Sequence, residues 1–152
     1  MRAVVQRVLN GAVTVEGNVV GEIGRGIVVL VGIHKDDNEE NMNYIVRKLL
    51  SLRLWPSEDG EKSWDRNVVQ IGGGILLVSQ FTLMHTLKGN KPDFHMAMKP
   101  EEAKVLFNNL RDALSRNYSP DKVSTGQFQS YMNIKMTNDG PVTLVLDTEV
   151  RK

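Results

Sequence analysis

Two short polar stretches interrupt apolar surroundings, and these are where chemistry could sit: Ser79-Gln80-Phe81-Thr82-Leu83 and Asn138-Asp139-Gly140-Pro141-Val142-Thr143. In the first, strand alternation puts Leu77, Ser79, Phe81 and Leu83 on one face and Val78, Gln80 and Thr82 on the other. A buried glutamine needs partners for both its amide and its carbonyl. The segment is therefore either strand-end hydrogen bonding or a site at the carboxyl edge of a strand. In the second stretch, Asp139-Gly140 suits a hairpin turn. Pro141 follows at once and deletes a ladder donor just as a strand begins, and Gly-Pro is a bond that can be cis at modest cost. From the residues alone an ordinary turn is the plainer reading.

Other familiar chemistry is poorly served. Gly72-Gly73-Gly74 lacks the Gly-Lys-Ser/Thr and following helix of a phosphate loop, so it reads as a turn between strands. His34, His85 and His95 show no i, i+4 pairing of a helical zinc site, and each reads as a surface or hydrogen-bonded histidine. A serine–histidine–acid triad could assemble from distant positions, but no G-x-S-x-G elbow supports one. The chain has no cysteine, which excludes disulfides, thiolate nucleophiles and cysteine metal sites.

The elements that must position these stretches are legible by period. Ala3 to Leu9 reads as a strand, and Gly11–Glu16 and Val19–Ile23 flank a Gly17-Asn18 hairpin turn. Ile27 to Ile33 is continuously apolar and β-branched, which predicts a central buried strand. Asp37 and Glu40 fit a capping box. Met42, Ile45, Val46, Leu49 and Leu50 then make one helical stripe. Leu52 to Trp55 predicts a short strand, and Pro56 to Asn67 an exposed loop. Ile75 to Leu83 reads as a second buried strand, and Met84 to Lys99 as irregular. Pro100 suits the first position of a helix, whose stripe is Ala103, Leu106, Phe107, Leu110 and Leu114. Phe128–Met136 and Val142–Leu146 read as paired strands around Thr137–Pro141. The expected fold is α/β: a mixed, strongly curved, barrel-like β-sheet covered by two main helices, in one domain over residues 1–152. No regular β-α-β alternation supports a doubly wound fold.

Composition bounds the partners. The chain has 152 residues, 41% of them apolar and 24% charged, which suits one packed core. Nineteen Lys and Arg against 18 Asp and Glu leave a net charge of +1, so any nucleic-acid contact must be local. The N-terminus lacks a signal-peptide core, and the longest apolar run, Ile27 to Val31, is too short to span a bilayer. A cytoplasmic protein without a membrane partner is the expectation.

The two polar stretches carry a resemblance. Ser79-Gln80-Phe81-Thr82-Leu83 is similar to a Ser-Gln-x-x-Leu motif, and Asn138–Thr143 to an Asn-x-Gly-Pro-x-Thr motif, of the D-aminoacyl-tRNA deacylases, and they stand here in the usual order. Met1–Val8, Gly24-Arg25-Gly26, Gly126-Gln127-Phe128 and Met132 also resemble that family, as does Lys88–Phe94, which is closer to its eukaryotic members. The likeness covers about the whole chain except Thr148–Lys152.

The resemblance implies hydrolysis of the ester of D-aminoacyl-tRNA, and of glycyl-tRNA on non-cognate tRNA, by a homodimer with tRNA as substrate and no cofactor or metal. Gly140 and Pro141, cis in the family, would reach from one subunit into the other's site and reject L-amino acids. Ser79, Gln80, Phe81 and Thr82 would line the pocket for the 3′-terminal adenosine and the ester. Arg7 would hold the Gly-Pro loop, with Asn138 in the same motif and Met132 packed nearby. An aminoacyl ester is already activated, so positioning and an oxyanion hole of backbone N–H groups, one donor worth roughly 3–4 kcal/mol, supply much of the barrier reduction. The terminal 2′-OH would help to activate water. The rival is Thr82 as a covalent nucleophile, which needs a base; only His85 is close in sequence. Lys88, Lys91 and Lys99 are candidates for RNA contact, or else they merely solvate a loop. A nucleic-acid-binding protein that keeps the fold without hydrolysis is the alternative of another class.

Overall fold

A computed structural model describes residues 1–150. β1 (Arg2–Val15) is one long strand, followed by β2 (Asn18–Ile23) and β3 (Gly26–Gly32). α1 (Glu39–Ser51) leads to β4 (Gly74–Ser79), a 3-10 turn (Phe81–Met84), and a small hairpin of β5 (Thr86–Lys88) and β6 (Lys91–Asp93). α2 (Pro100–Asn117), β7 (Val123–Thr125) and β8 (Asn133–Asp147) complete the order. The sheet runs β2-β1-β3-β4-β7, with β8 on the other edge of β1. β1 pairs antiparallel with β2, β3 and β8, whereas β3–β4 and β4–β7 are parallel. The two ends of this path meet. A Cβ on Gly21 of β2 would lie 2.2 Å from the Thr125 carbonyl oxygen of β7, and Ser124 Oγ donates to the Glu22 carbonyl at 3.3 Å. The mixed sheet is thus a nearly closed barrel, and Gly21 is needed for that approach.

Both faces of the central strands are buried, which is why they read as unbroken apolar runs. Ile27, Val29, Val31, Ile75 and Leu77 pack outward against α1 and α2, through Ile45, Leu49, Phe107, Leu110 and Leu114. Val28, Leu76 and Val78 point inward, to Val8 and Val13 of β1 and the half-buried Met132, Ile134 and Met136.

Four local expectations are corrected. α1 is capped by Asn38, whose Oδ1 accepts from Glu40 and Asn41, while the Asn41 side chain accepts from the Asn38 N–H. Asp37 is drawn away: it accepts from the α-ammonium of Met1 at 2.6 Å and from the His34 N–H at 2.6 Å. The β1–β2 turn is Glu16-Gly17, with φ of 51° and 80°, one residue earlier than expected. Leu52–Trp55 is no strand; Trp55 makes a single bridge to Arg66. The C-terminal segment is one strand along β1, not a hairpin.

That last correction decides where the Gly-Pro motif sits. Gln6 faces Thr143 and Val8 faces Asn138, so Arg7 alone opposes Asp139, Gly140, Pro141 and Val142. These residues form a wide bulge in β8, where the missing proline N–H costs the ladder nothing. A hairpin turn and such a bulge draw on the same residue types, and only the register along β1 distinguishes them.

Candidate active site

β4 brings Ser79 to the end of the sheet, and the chain then breaks from extended geometry. The Gln80 N–H still bonds to the Val31 carbonyl at 2.8 Å, but Leu83 N–H returns to the Gln80 carbonyl at 3.2 Å, closing the 3-10 turn. Alternation therefore stops at Ser79, and Phe81 and Leu83 do not continue the strand face. Arg2 helps fix the turn, because its Nη1 donates to the Leu83 carbonyl at 2.7 Å while Nε and Nη2 hold Asp147. The Gln80 side-chain amide donates to the Thr82 hydroxyl. His85 Nδ1 lies 2.9 Å from the Thr82 carbonyl; a carbonyl only accepts, so that nitrogen carries its proton.

A cavity of about 780 Å³ opens beside this turn. Val78, Ser79, Gln80 and Phe81 form one wall, Phe94, His95 and Ala97 to Pro100 another, and Phe128 to Met132 a third. Phe81 and Phe94 meet edge to face with centroids 5.0 Å apart. Met132 is held by Gly126, where a Cβ would come within 2.7 Å of Met132 Sδ. Of the expected site residues, the structure brings Ser79, Gln80, Phe81 and Met132 together around the cavity, with Thr82 bonded to Gln80.

Arg7, Asn138, Gly140 and Pro141 form a second group at the β8 bulge and do not line that cavity. Arg7 is largely buried and donates from Nε to the Asp139 carbonyl at 3.0 Å and from Nη1 to the Leu54 carbonyl at 2.5 Å. Its guanidinium also sits 6.0 Å from the centre of the Trp64 ring. Asn138 Oδ1 accepts from the Val142 N–H at 2.8 Å, bracing the bulge from below. The Gly140-Pro141 bond is cis, Gly140 has φ of 135°, and both residues are exposed.

Sequence reasoning missed His95, Tyr131 and most of the aromatic wall. His95 lines the cavity, and its Nδ1 contacts Asp93. No period could have found the pair: Asp93 ends β6, His95 lies in the turn that follows, and the Asp93 carboxylate reaches back to the His95 N–H as aspartates do in turns. The hydrogen bond from the His95 ring holds the Asp93 carboxyl well below its ordinary range, helped by the His95 N–H and by Lys88. Among the described residues no group of three or more His, Asp or Glu could hold a metal ion, and no helix is long and apolar enough to cross a membrane.

Known proteins are similar to this chain along its length. The model of the D-Tyr-tRNA(Tyr) deacylase family matches residues 4–147. A D-aminoacyl-tRNA deacylase 1 of Leishmania major is 60% identical over 151 residues, covering 99% of both chains. A D-aminoacyl-tRNA deacylase of Dictyostelium discoideum is 48% identical over 149 residues, covering 98% of this chain and 99% of that one. A solved structure described as a c-Myc DNA unwinding element binding protein superposes with a TM-score of 0.93 at 46% identity, covering 97% of this chain and 99% of the other. With its nearly closed mixed sheet, two covering helices and both motif segments in place, the chain belongs to the D-Tyr-tRNA(Tyr) deacylase family.

Proposed function

We propose that this D-aminoacyl-tRNA deacylase, an ester hydrolase, uses the cavity at Ser79–Phe81 to hold the 3′-terminal aminoacyl-adenosine and frees the D-amino acid from the tRNA. The observation that carries this reading is the pairing of a polar floor with a largely apolar, aromatic wall, at the end of a buried strand that the sequence similarity spans. The first N–H groups of the 3-10 turn, those of Phe81 and Thr82, have no carbonyl within their own turn and are suited to receive the oxyanion of the tetrahedral intermediate. The attacking water is assisted by the substrate's terminal 2′-OH. Thr82 as nucleophile is disfavoured by its surroundings: its hydroxyl is taken by a Gln80 N–H, which cannot serve as a base, and His85 bonds the Thr82 carbonyl instead.

The Gly140-Pro141 bulge stands apart from the cavity of its own chain, so a role in selection requires a second chain. In this reading a two-fold homodimer brings the bulge of one subunit over the cavity of the other, and its backbone collides with an L side chain while leaving room for a D one. Selection is then rejection of one hand with little reading of side-chain identity, so glycyl-tRNA is also a substrate. The enzyme works in the cytoplasm as one domain, without a cofactor.

A role in binding DNA, which the description of the superposed structure gives for that protein, is the second reading. Turnover separates the two. Purified protein should release D-tyrosine from D-tyrosyl-tRNA catalytically, and sedimentation at micromolar concentration should show two chains per particle. A protein that binds the tRNA without turnover would support the second reading, and a fully active monomer would sink the shared site.

A further inference from the structure

The cavity beside Ser79–Phe81 has basic side chains in its lining, His95 and Lys99, and no acidic ones. The whole chain is close to neutral at +1, so this imbalance belongs to the cavity mouth. His95 is held in place there. Its Nδ1 and its backbone N–H both engage one oxygen of Asp93, the latter at 3.2 Å, and the other oxygen of Asp93 is 3.2 Å from Lys88 Nζ. With Nδ1 committed to the carboxylate, Nε2 is the free corner of the ring.

Lys88 is thereby paired with Asp93 at the surface. Of the three lysines named as candidates for RNA contact, Lys88 pairs with the histidine's partner and Lys99 lines the cavity. The N-terminus of α2 also begins at this mouth, but Glu101 and Glu102 in its first turn answer its dipole, so the helix end is not the attraction. Two side chains of the rim are open to a flat ligand: Tyr131 is 89% exposed and Phe81 56%. Exposed aromatic faces beside cations are the ordinary means of gripping single-stranded nucleic acid.

We infer that His95 and Lys99 form a clamp for one phosphodiester of a single-stranded RNA 3′ end, with Asp93 and Lys88 positioning the imidazole. The inference rests on the function proposed above and adds to it the element that reads the nucleic acid. The Lys99 ammonium donates and does not accept, and an imidazole Nε2 that carries a proton donates likewise, so an anion is the ligand that suits both. The ester occupies the Ser79–Phe81 floor, and the phosphodiester lies a nucleoside away toward the mouth, where these two groups stand.

The test uses the full chain with two readouts. Equilibrium binding of uncharged tRNA is measured across a salt series for the wild type, for Lys99→Ala/His95→Gln, and for Lys122→Ala. Lys122 flanks β7, at the opposite end of β4 from Ser79. Hydrolysis of D-tyrosyl-tRNA is compared with that of D-tyrosyl-adenosine, which has no phosphodiester. The double variant should bind tRNA about tenfold more weakly at low salt and lose about 0.7 unit of slope in log K against log salt, the value for one single-stranded phosphate contact. Lys122→Ala should keep the wild-type slope. The double variant should also lose about tenfold more kcat/KM on the tRNA than on the adenosine ester. A wild-type slope in the double variant, or equal losses on the two substrates, would overturn the clamp. A wild type that hydrolyses neither substrate would sink the proposed function, while the binding series would still decide the clamp.

Discussion

Arg7 of β1 holds Asp139 of β8 twice, with Nε 3.0 Å from the carbonyl oxygen and 3.4 Å from the carboxylate. This side chain also donates to Leu54, so one largely buried guanidinium ties the loop after α1 to the base of the Gly-Pro bulge. Arg7→Ala leaves two carbonyls without their donor and should cost about 2–3 kcal/mol of stability. It should also lower kcat/KM on D-aminoacyl-tRNA by about 10- to 100-fold through misplacement of the bulge. Arg7→Lys should recover part of the stability and little of the activity, because a single ammonium does not reproduce the fork. Denaturant melts and deacylation rates on the same preparations check both.

Gly140 is required by backbone geometry as well as by space. Its φ of 135° disfavours any L side chain, and a Cβ there would sit 2.7 Å from Val142 Cγ2 and 3.2 Å from an Arg7 nitrogen. Gly140→Ala should therefore shift the bulge at a cost of about 1–3 kcal/mol. Discrimination between D- and L-tyrosyl-tRNA should shrink more than stability does. Unchanged discrimination in a folded variant would show that the bulge is not the gate.

Thr82 is bonded as an acceptor by Gln80. Thr82→Ala should retain activity within about tenfold of the wild type if, as proposed, the hydroxyl is not the nucleophile. Replacing the terminal 2′-OH of the tRNA with hydrogen should be far more damaging. Rapid-quench analysis of the wild type should find no acyl-enzyme.

How much of this was legible in the sequence varies by element. The runs Ile27–Val31 and Ile75–Val78 follow from their unbroken apolar sequence, because both strand faces meet a packed surface, and the stripes of both helices follow from period, because every third to fourth side chain does. The end of β4 did not follow, because the 3-10 turn depends on Arg2 reaching Leu83 from the other end of the chain. The helix cap moved from Asp37 to Asn38 because the Met1 ammonium claims Asp37. The Gly-Pro bulge depends on register against Arg7, more than a hundred residues away. In the cavity, Ser79 and Gln80 stood out as polar residues at the end of an apolar run. Phe128 and Tyr131 could not, since an aromatic in a loop looks the same whether it faces solvent or lines a wall.

Asp147 predicts an acid-dependent loss of stability. Burial raises its pKa, but the Glu149 N–H and the Arg2 guanidinium more than offset this and leave it below the ordinary 3.8. A depressed folded-state pKa means that the stabilisation is present above pH 3.8 and lost as the pH falls through the folded-state value. Arg2 is about a third exposed, so the contribution is small, about 0.5–1 kcal/mol. Asp147→Asn should be less stable than the wild type by this amount near neutral pH, and the two should converge below pH 3.8. Because Arg2 also holds Leu83, the variant should show a modest rise in KM.

The central claim is that the enzyme selects by excluding the L hand. The measurement that tests it most directly is hydrolysis of matched D-Tyr, D-Asp, L-Tyr and Gly esters on their tRNAs by one preparation of the wild-type protein. The account predicts release of both D-amino acids at comparable rates, release of glycine, and survival of the L-tyrosyl ester. Cleavage of L-tyrosyl-tRNA at a rate similar to the D ester would contradict the gate. Resistance of glycyl-tRNA at high enzyme would contradict selection by rejection alone, because a substrate with no side chain has nothing to collide.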